Sequence, residues 1–424
     1  MLEVSDPGAA DRRAVGRWQS PSVVGMHEGR RRQRRGAGPG RRRRTLAACR
    51  HLTTVLIGVL AVLLTIAACA DFSQQDRDQA AGPFSPNNEP FGVQSTQPPQ
   101  SVPENPGQES PPPPGPCVDP DPAVIATCLA STGGVRAGDD EGAVTVVAER
   151  TTGKIITTKR YGPQRVVASF DVDSSGDGGL IDFAFSPTYQ QDQLIYALIT
   201  TPSDNRVVRL APGDVAKPIL TGIPKGATGN MGALLFASPS ELLVATGNAG
   251  NPAAAADPGS LAGKLLTVTN LSSGSTDRPK VLASGLGANV ALCPSGSGGL
   301  YMTDQGPTED RLQSVEESGA TTVLWSWPDK PQIAGCAATR GQIFVTETRT
   351  QRIEAINEPT RQRPTLTPPT VVLEKRYGAL GRITAVTPDN GRLQVATVNR
   401  TAGRPVSTDE RVIFFAPIPG EGLQ

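Results

Sequence analysis

Beyond residue 142 one local pattern keeps returning: a short apolar run, a polar turn that often carries glycine, and a second run rich in Val, Ile or Tyr. It reads "AVTVVAERTTGKIITT", "LIDFAFSPTYQQDQLIYALIT", "GALLFASPSELLVATG", "NVALCPSGSGGLYMTD", "IAGCAATRGQIFVTET" and "ITAVTPDNGRLQVATV". Taken as equivalent starts, Leu180, Met231, Asn289, Ile333 and Leu380 lie 51, 58, 44 and 47 residues apart. The runs are β-branched, bounded by Gly, Pro, Asp and Ser, and almost free of helical periodicity, so the region is all-β. A β-sandwich would also be all-β, but it gives no reason for the repeat. Six units at a spacing near the ~40–50 residues of a propeller blade predict a six-bladed β-propeller over 117–424, whose radial closure leaves only short sheet edges.

The formal net charge of +1 conceals two unlike regions. The first 50 residues hold 13 arginines, no lysine and four acids, whereas the chain from Cys69 onward carries 28 basic and 36 acidic residues. An acidic domain of this kind argues against a nucleic-acid partner. The basic run "RRRQRRGAGPGRRRR" is followed by the uncharged apolar stretch "LTTVLIGVLAVLLTIAAC". That order predicts a basic n-region and export signal over 1–68.

The end of this stretch, "IAAC" at 66–69, resembles the lipobox of bacterial lipoproteins and makes Cys69 the acylated residue, with palmitate among its lipids. A plain transmembrane anchor is the rival reading, since the apolar run is near the lower length for a span. Arg43 and Arg44 echo a twin-arginine signal, and Met26 offers a second start inside the long basic segment. From Cys69 to Pro116 the chain is polar and proline-rich, which predicts a flexible tether reaching roughly 40 Å. The expected location is the outer face of the cytoplasmic membrane, held through the lipid.

Four cysteines remain once Cys49 and Cys69 are set aside: Cys117, Cys128, Cys293 and Cys336. In an oxidising compartment they read as two disulfides, for which three pairings exist, and their spacing does not match zinc ligands. The short loop "CVDPDPAVIATC" favours Cys117 with Cys128. Cys293 and Cys336 stand in similar places about one blade apart. The only histidines, His27 and His51, precede the expected cleavage point. The exported chain therefore has no Ser-His-Asp site, histidine base or histidine metal ligand.

"DVDSSGDGGLID", Asp171 to Asp182, has oxygen-bearing side chains at positions 1, 3, 5 and 12 and glycine at position 6, close to an EF-hand loop. Asp171, Asp173 and Asp182 are thereby metal candidates. The rival is a glycine turn into a strand at Leu180, with solvated acids.

In order along the chain, "GDGGLIDFAFSPTYQQDQLIYALIT", "TGNMGALLFASPSELLVATGNAG", "DPGSLAGKLLTV", "SGLGANVALCPSGSGGLYMTDQGP" and "PDNGRLQVATV" resemble the blade motifs of the glucose/sorbosone dehydrogenase family. The resemblance covers roughly Val144 to Phe415. It implies a six-bladed propeller and, from the characterised enzymes, pyrroloquinoline quinone with calcium. It also implies a histidine base just before a "GG-x-L-x-F"-like strand, a place held here by Gly229. Thr267 and Ala288 stand where cationic contacts to the quinone are expected. Signal, tether and cysteine placement together resemble a mycobacterial envelope lipoprotein.

A degenerate active site follows from that comparison, with Asp177 and Asp182 as replacement bases if any catalysis persists. The first functional reading is a lipid-anchored binding or scaffold module that takes a small molecule or an envelope protein at the channel mouth. Asp182, Asn230, Asn248, Asn289, Asp304 and Arg382 are its candidate ligand residues. The alternatives are a quinone-dependent sugar dehydrogenase with an aspartate base and a hydrolase or lyase using paired carboxylates.

Overall fold

Each repeat folds into a four-stranded antiparallel sheet whose first strand lies innermost, and six such sheets form a ring. The computed structural model describes residues 117–417, so the expected export signal, Cys69 and the tether lie outside the described residues. After β1 (Val124–Ala126), blade one holds β2 (Thr132–Ala137), β3 (Val144–Glu149), β4 (Lys154–Lys159) and β5 (Arg165–Ser169). Blade two holds β6 (Leu180–Phe185), β7 (Ile195–Thr200), β8 (Asn205–Leu210) and β9 (Lys217–Ile223). Blade three holds β10 (Ala233–Ser238), β11 (Glu241–Ala245), β12 (Lys264–Val268) and β13 (Lys280–Ser284). Blade four holds β14 (Val290–Pro294), β15 (Leu300–Gln305), β16 (Asp310–Val315) and β17 (Thr321–Trp327). Blade five holds β18 (Ile333–Thr339), β19 (Gln342–Glu347), β20 (Arg352–Asn357) and β21 (Thr370–Glu374). Blade six holds β22 (Leu380–Ala385), β23 (Leu393–Thr397) and β24 (Val412–Phe415), and takes β1 as its outer strand.

The ring is therefore closed by joining the first and last strands of the described residues, since β1 pairs antiparallel with β24. A three-residue strand is a weak closure by itself. It is bracketed by the Cys117–Cys128 disulfide, with Cα atoms 5.4 Å apart. Asp119 adds a second hold, accepting from Thr408 Oγ1 at 2.7 Å and from Arg411 Nη1 at 3.3 Å.

Strand starts at Leu180, Ile333 and Leu380 coincide with the repeat, and β10 and β14 begin within two residues of the expected Met231 and Asn289. The first unit is out of phase. "AVTVVAERTTGKIITT" supplies the second and third strands of its blade, because the innermost strand is the earlier "TGGVRA" at 132–137. Turn chemistry fits the hairpins: between β18 and β19 the pair Thr339↔Gln342 encloses Arg340 at φ 51° and Gly341 at φ 71°. Two successive positive φ values match the right-handed twist of the flanking strands.

The core lies between blades rather than within any one sheet. Six apolar clusters occur, one at each blade junction, such as Leu198 and Ile223 against Leu234 and Leu242 between blades two and three. Each fully buried Leu or Phe there stabilises by about 1.5–3 kcal/mol, and none of it is realised by an isolated blade.

At the turn after the second strand, four blades repeat a carboxylate-arginine clasp. Asp204 pairs with Arg206, Asp304 with Arg311, Glu347 with Arg352 and Asp409 with Arg411.

Candidate functional site

The face on which the inner strands begin carries Gly229, the position expected for a base. Gly229 has φ 80°, and a Cβ there would lie 2.5 Å from Gly250 N and 2.6 Å from Asn248 Oδ1. The space for a side chain is filled by the next turn of the same blade. Asp177, a candidate base, is committed to the same segment: its carboxylate accepts from the backbone N–H of Gly229 at 2.7 Å and of Asn230 at 3.2 Å.

Two candidate ligand residues on this face, Asn230 and Asp304, are likewise used up by the fold. Asn230 donates to Gly226 O and accepts from Asn205 Nδ2 at 3.0 Å, while Asn248 accepts from Gly250 N. Asp304 is wholly buried and accepts from Arg311, Gln313 and Gly287 N. Asn230 and Asp304 are thus turn and clasp residues with their side-chain polar atoms engaged, whereas Asn248 Nδ2 has no acceptor among the described residues. Asn289 Oδ1 and Thr267 Oγ1 are buried without a partner among the described residues.

A quinone cofactor bearing carboxylates would need free cations here. Arg150 instead donates to the carbonyls of Gly176 and Gly178, Lys225 pairs with Asp173, Arg311 with Asp304, and Lys330 donates to Gly306 O and Pro307 O. These four cations are engaged by protein groups and are not free to hold the carboxylates of pyrroloquinoline quinone.

The carboxylates of the 171–182 stretch do not converge. Asp171 is exposed, Asp173 faces Lys225 and Asp182 points into the channel. The Lys225 ammonium and the Ser175 N–H hold the Asp173 carboxyl far below its ordinary value. Gly176 at φ 62° and Gly179 at φ 122° make the segment a turn into β6. Among the described residues no group of three or more His, Cys, Asp or Glu side chains is arranged to hold a metal ion.

Asp182 and Arg382 do come together, inside the channel, with a residue not foreseen, Arg136. Arg136 Nη2 donates to both oxygens of Asp182 at 3.0 Å and to Phe183 O at 2.8 Å, and its guanidinium lies 5.3 Å from the Phe183 ring centroid. Asp182 also accepts from Leu234 N at 2.9 Å, so both its oxygens are engaged and neither is free as a base. Gly134 makes the arrangement possible, because a Cβ there would lie 1.9 Å from Asp182 Oδ1. Arg382 crosses from blade six to blade three, donating to Gly232 O at 2.8 Å and to Ala334 O at 3.0 Å. Burial pulls its guanidinium down to about 10, and Arg136 adds to the effect against the pull of Asp182.

Beside these groups is a cavity of about 220 Å³, lined from the middle of the inner strands to the turns that follow them, including Pro294 and Thr387. It lies toward the face where the inner strands end, away from Gly229. Its wall includes the Cys293–Cys336 disulfide, which joins β14 to β18 with Cα atoms 5.7 Å apart. Both disulfides thus have the expected pairing. The sequence repeat does not reveal Arg136, because its first unit begins at the second strand of blade one. The signal was the glycine pair of "GGVRA", which precedes an apolar residue as Gly178 and Gly179 precede Leu180.

The family model for Glucose / Sorbosone dehydrogenase matches residues 134–320, which spans the first three blades and most of the fourth. Solved structures share the propeller over more of the chain. The PQQ-bound aldose sugar dehydrogenase of Streptomyces coelicolor is 25% identical over 69% of this chain and 95% of its own, with a TM-score of 0.58. A glucose dehydrogenase-type oxidoreductase of Thermus thermophilus is 24% identical over 69% and 98%, with a TM-score of 0.60. The apo aldose sugar dehydrogenase of Escherichia coli is 17% identical, again over 69% and 98%, with a TM-score of 0.55. No curated protein matches the chain.

Proposed function

We propose that this chain is a lipid-anchored binding propeller of the bacterial cell envelope, related in fold to the quinone-dependent sugar dehydrogenases but without their chemistry. One observation carries the reading. The position that the family resemblance assigns to the base is a positive-φ glycine whose side-chain space is already filled by Asn248 and Gly250. Oxidising a sugar hydroxyl requires a group that takes its proton, and a placed base is worth about 10²–10⁴-fold. The channel cavity bounded by Arg136, Asp182 and Arg382 is the ligand site in this reading, and the N-terminal lipid and tether hold it near the membrane.

A second reading, a quinone-dependent sugar dehydrogenase with Asp177 or Asp182 as base, draws on the family match over 134–320 and on the PQQ-bound Streptomyces coelicolor relative. It requires either aspartate to leave its present partners. Dye-coupled oxidation of a panel of aldoses, with pyrroloquinoline quinone and calcium supplied, separates the two. The binding reading expects no turnover. Turnover that disappears in Asp177→Asn or Asp182→Asn would sink it. Native mass spectrometry of the protein from its own envelope should reveal a copurifying small molecule.

A further inference from the structure

Inside the channel the charges do not balance. Two guanidiniums, Arg136 and Arg382, face one carboxylate, Asp182, and Asp182 and Arg382 are 4% and 7% exposed. Leaving a cation unmatched in a desolvated site is costly, and the backbone carbonyls that Arg382 meets carry only partial charge. Arg136 is the more accessible of the two, its side chain 31% exposed. Its Nη1 and Nη2 donate to protein oxygens, whereas its Nε has no acceptor among the described residues. The cavity against which these groups lie is otherwise apolar, with Leu234, Leu292, Ile383, Pro388 and the Cys293–Cys336 disulfide in its wall. The hydroxyls of Thr384 and Thr387 are the other polar side chains of the lining.

We infer that this cavity takes a small monocarboxylate with a compact apolar body, its charge set against Arg136 and its body against the apolar wall. The inference rests on the binding reading above and specifies its ligand class. A neutral sugar would leave the excess positive charge where it is, and a dianion would replace it with an excess of negative charge. Volume sets the body size: about 220 Å³ is less than the roughly 300–1,000 Å³ of pockets for drug-sized ligands. No bond is made or broken in this role.

The test is calorimetric titration of the detergent-solubilised full chain with isovalerate, benzoate and octanoate, each beside its amide, and with chloride and phosphate. At least one carboxylate should bind with unit stoichiometry and about tenfold or more tighter than its amide, the size of one charge-assisted contact. Arg136→Gln should abolish that preference. Ala385→Leu, which narrows the cavity and leaves both arginines in place, should weaken acid and amide alike. Equal binding of acid and amide, or a preference unchanged in Arg136→Gln, overturns the carboxylate proposal. If Ala385→Leu still weakens such binding, the channel reading survives. Absence of binding by any of the three acids, or chloride or phosphate matching the best of them, also overturns it. Tight binding indifferent to Ala385→Leu removes the cavity itself as the ligand site. Should Arg136→Gln fail to fold, the acid-amide comparison and Ala385→Leu decide alone.

Discussion

The carboxylate of Asp177, on the turn entering blade two, accepts the backbone N–H of Gly229, on the turn entering blade three, at 2.7 Å. One contact thus joins the candidate base to the position where the family resemblance expects a base and makes both part of a blade-to-blade staple. Asp177→Ala leaves the N–H groups of Gly229 and Asn230 without acceptors. It should cost about 1–3 kcal/mol in denaturant unfolding. An unchanged unfolding midpoint would show that the staple is not structural.

Restoring a histidine at 229 should fail for a steric reason. A Cβ at φ 80° would meet Asn248 Oδ1 at 2.6 Å. Gly229→His should therefore be less stable than wild type by roughly 1–3 kcal/mol or more, and show no sugar oxidation with pyrroloquinoline quinone and calcium. A folded, active Gly229→His protein would mean that the segment 248–250 yields easily.

The two disulfides differ in what they close. Cys117–Cys128 spans 11 residues and closes the loop that carries β1, while Cys293–Cys336 spans 43 and ties the inner strands of blades four and five. On loop entropy alone the longer closure should be worth about 4 kcal/mol and the shorter about 3. Cys-to-Ser pairs, compared by unfolding midpoint, should follow that order. Non-reducing peptide mapping that finds crossed pairs would refute the assignment.

Glu347, wholly buried, shares Arg352 with Glu354, at 2.6 and 3.1 Å respectively. Burial, and then the charge of Glu354, push the Glu347 carboxyl up to about 7 against the pull of Thr350 and Arg352. A carboxyl raised on folding favours the folded state while it is protonated, so its contribution is complete below the unfolded value of about 4.5 and is lost as pH rises through about 7. Wild type should lose thermal stability relative to Glu347→Gln between roughly pH 5 and pH 8. Parallel profiles for the two proteins would contradict the raised value.

The proposed anchoring rests on Cys69, which lies outside the described residues. Cys69→Ala should leave the protein without lipid, either uncleaved or released from the membrane fraction. A variant that partitions and migrates like wild type would end the lipoprotein reading.

The sequence by itself determined the inner hairpin strands of five blades, the repeat and the number of blades, because alternation, turn residues and blade length are local properties that need no knowledge of partners. It also yielded the pairing of Cys117 with Cys128, across a loop too short to leave much choice. Tertiary structure decided the rest. Joining β1 to β24, more than 280 positions away, depends on where the ring brings its ends. Asp304 and Asn230 read as exposed loop groups until the fold surrounds them with Arg311, Gln313 and Asn205. The channel cluster is the clearest case: Arg136 meets Leu234 O 98 residues away, and Arg382 meets Gly232 O 150 residues away. Only radial closure sets those strands face to face. Charge balance in a desolvated channel is a property of that closed ring and of no segment within it.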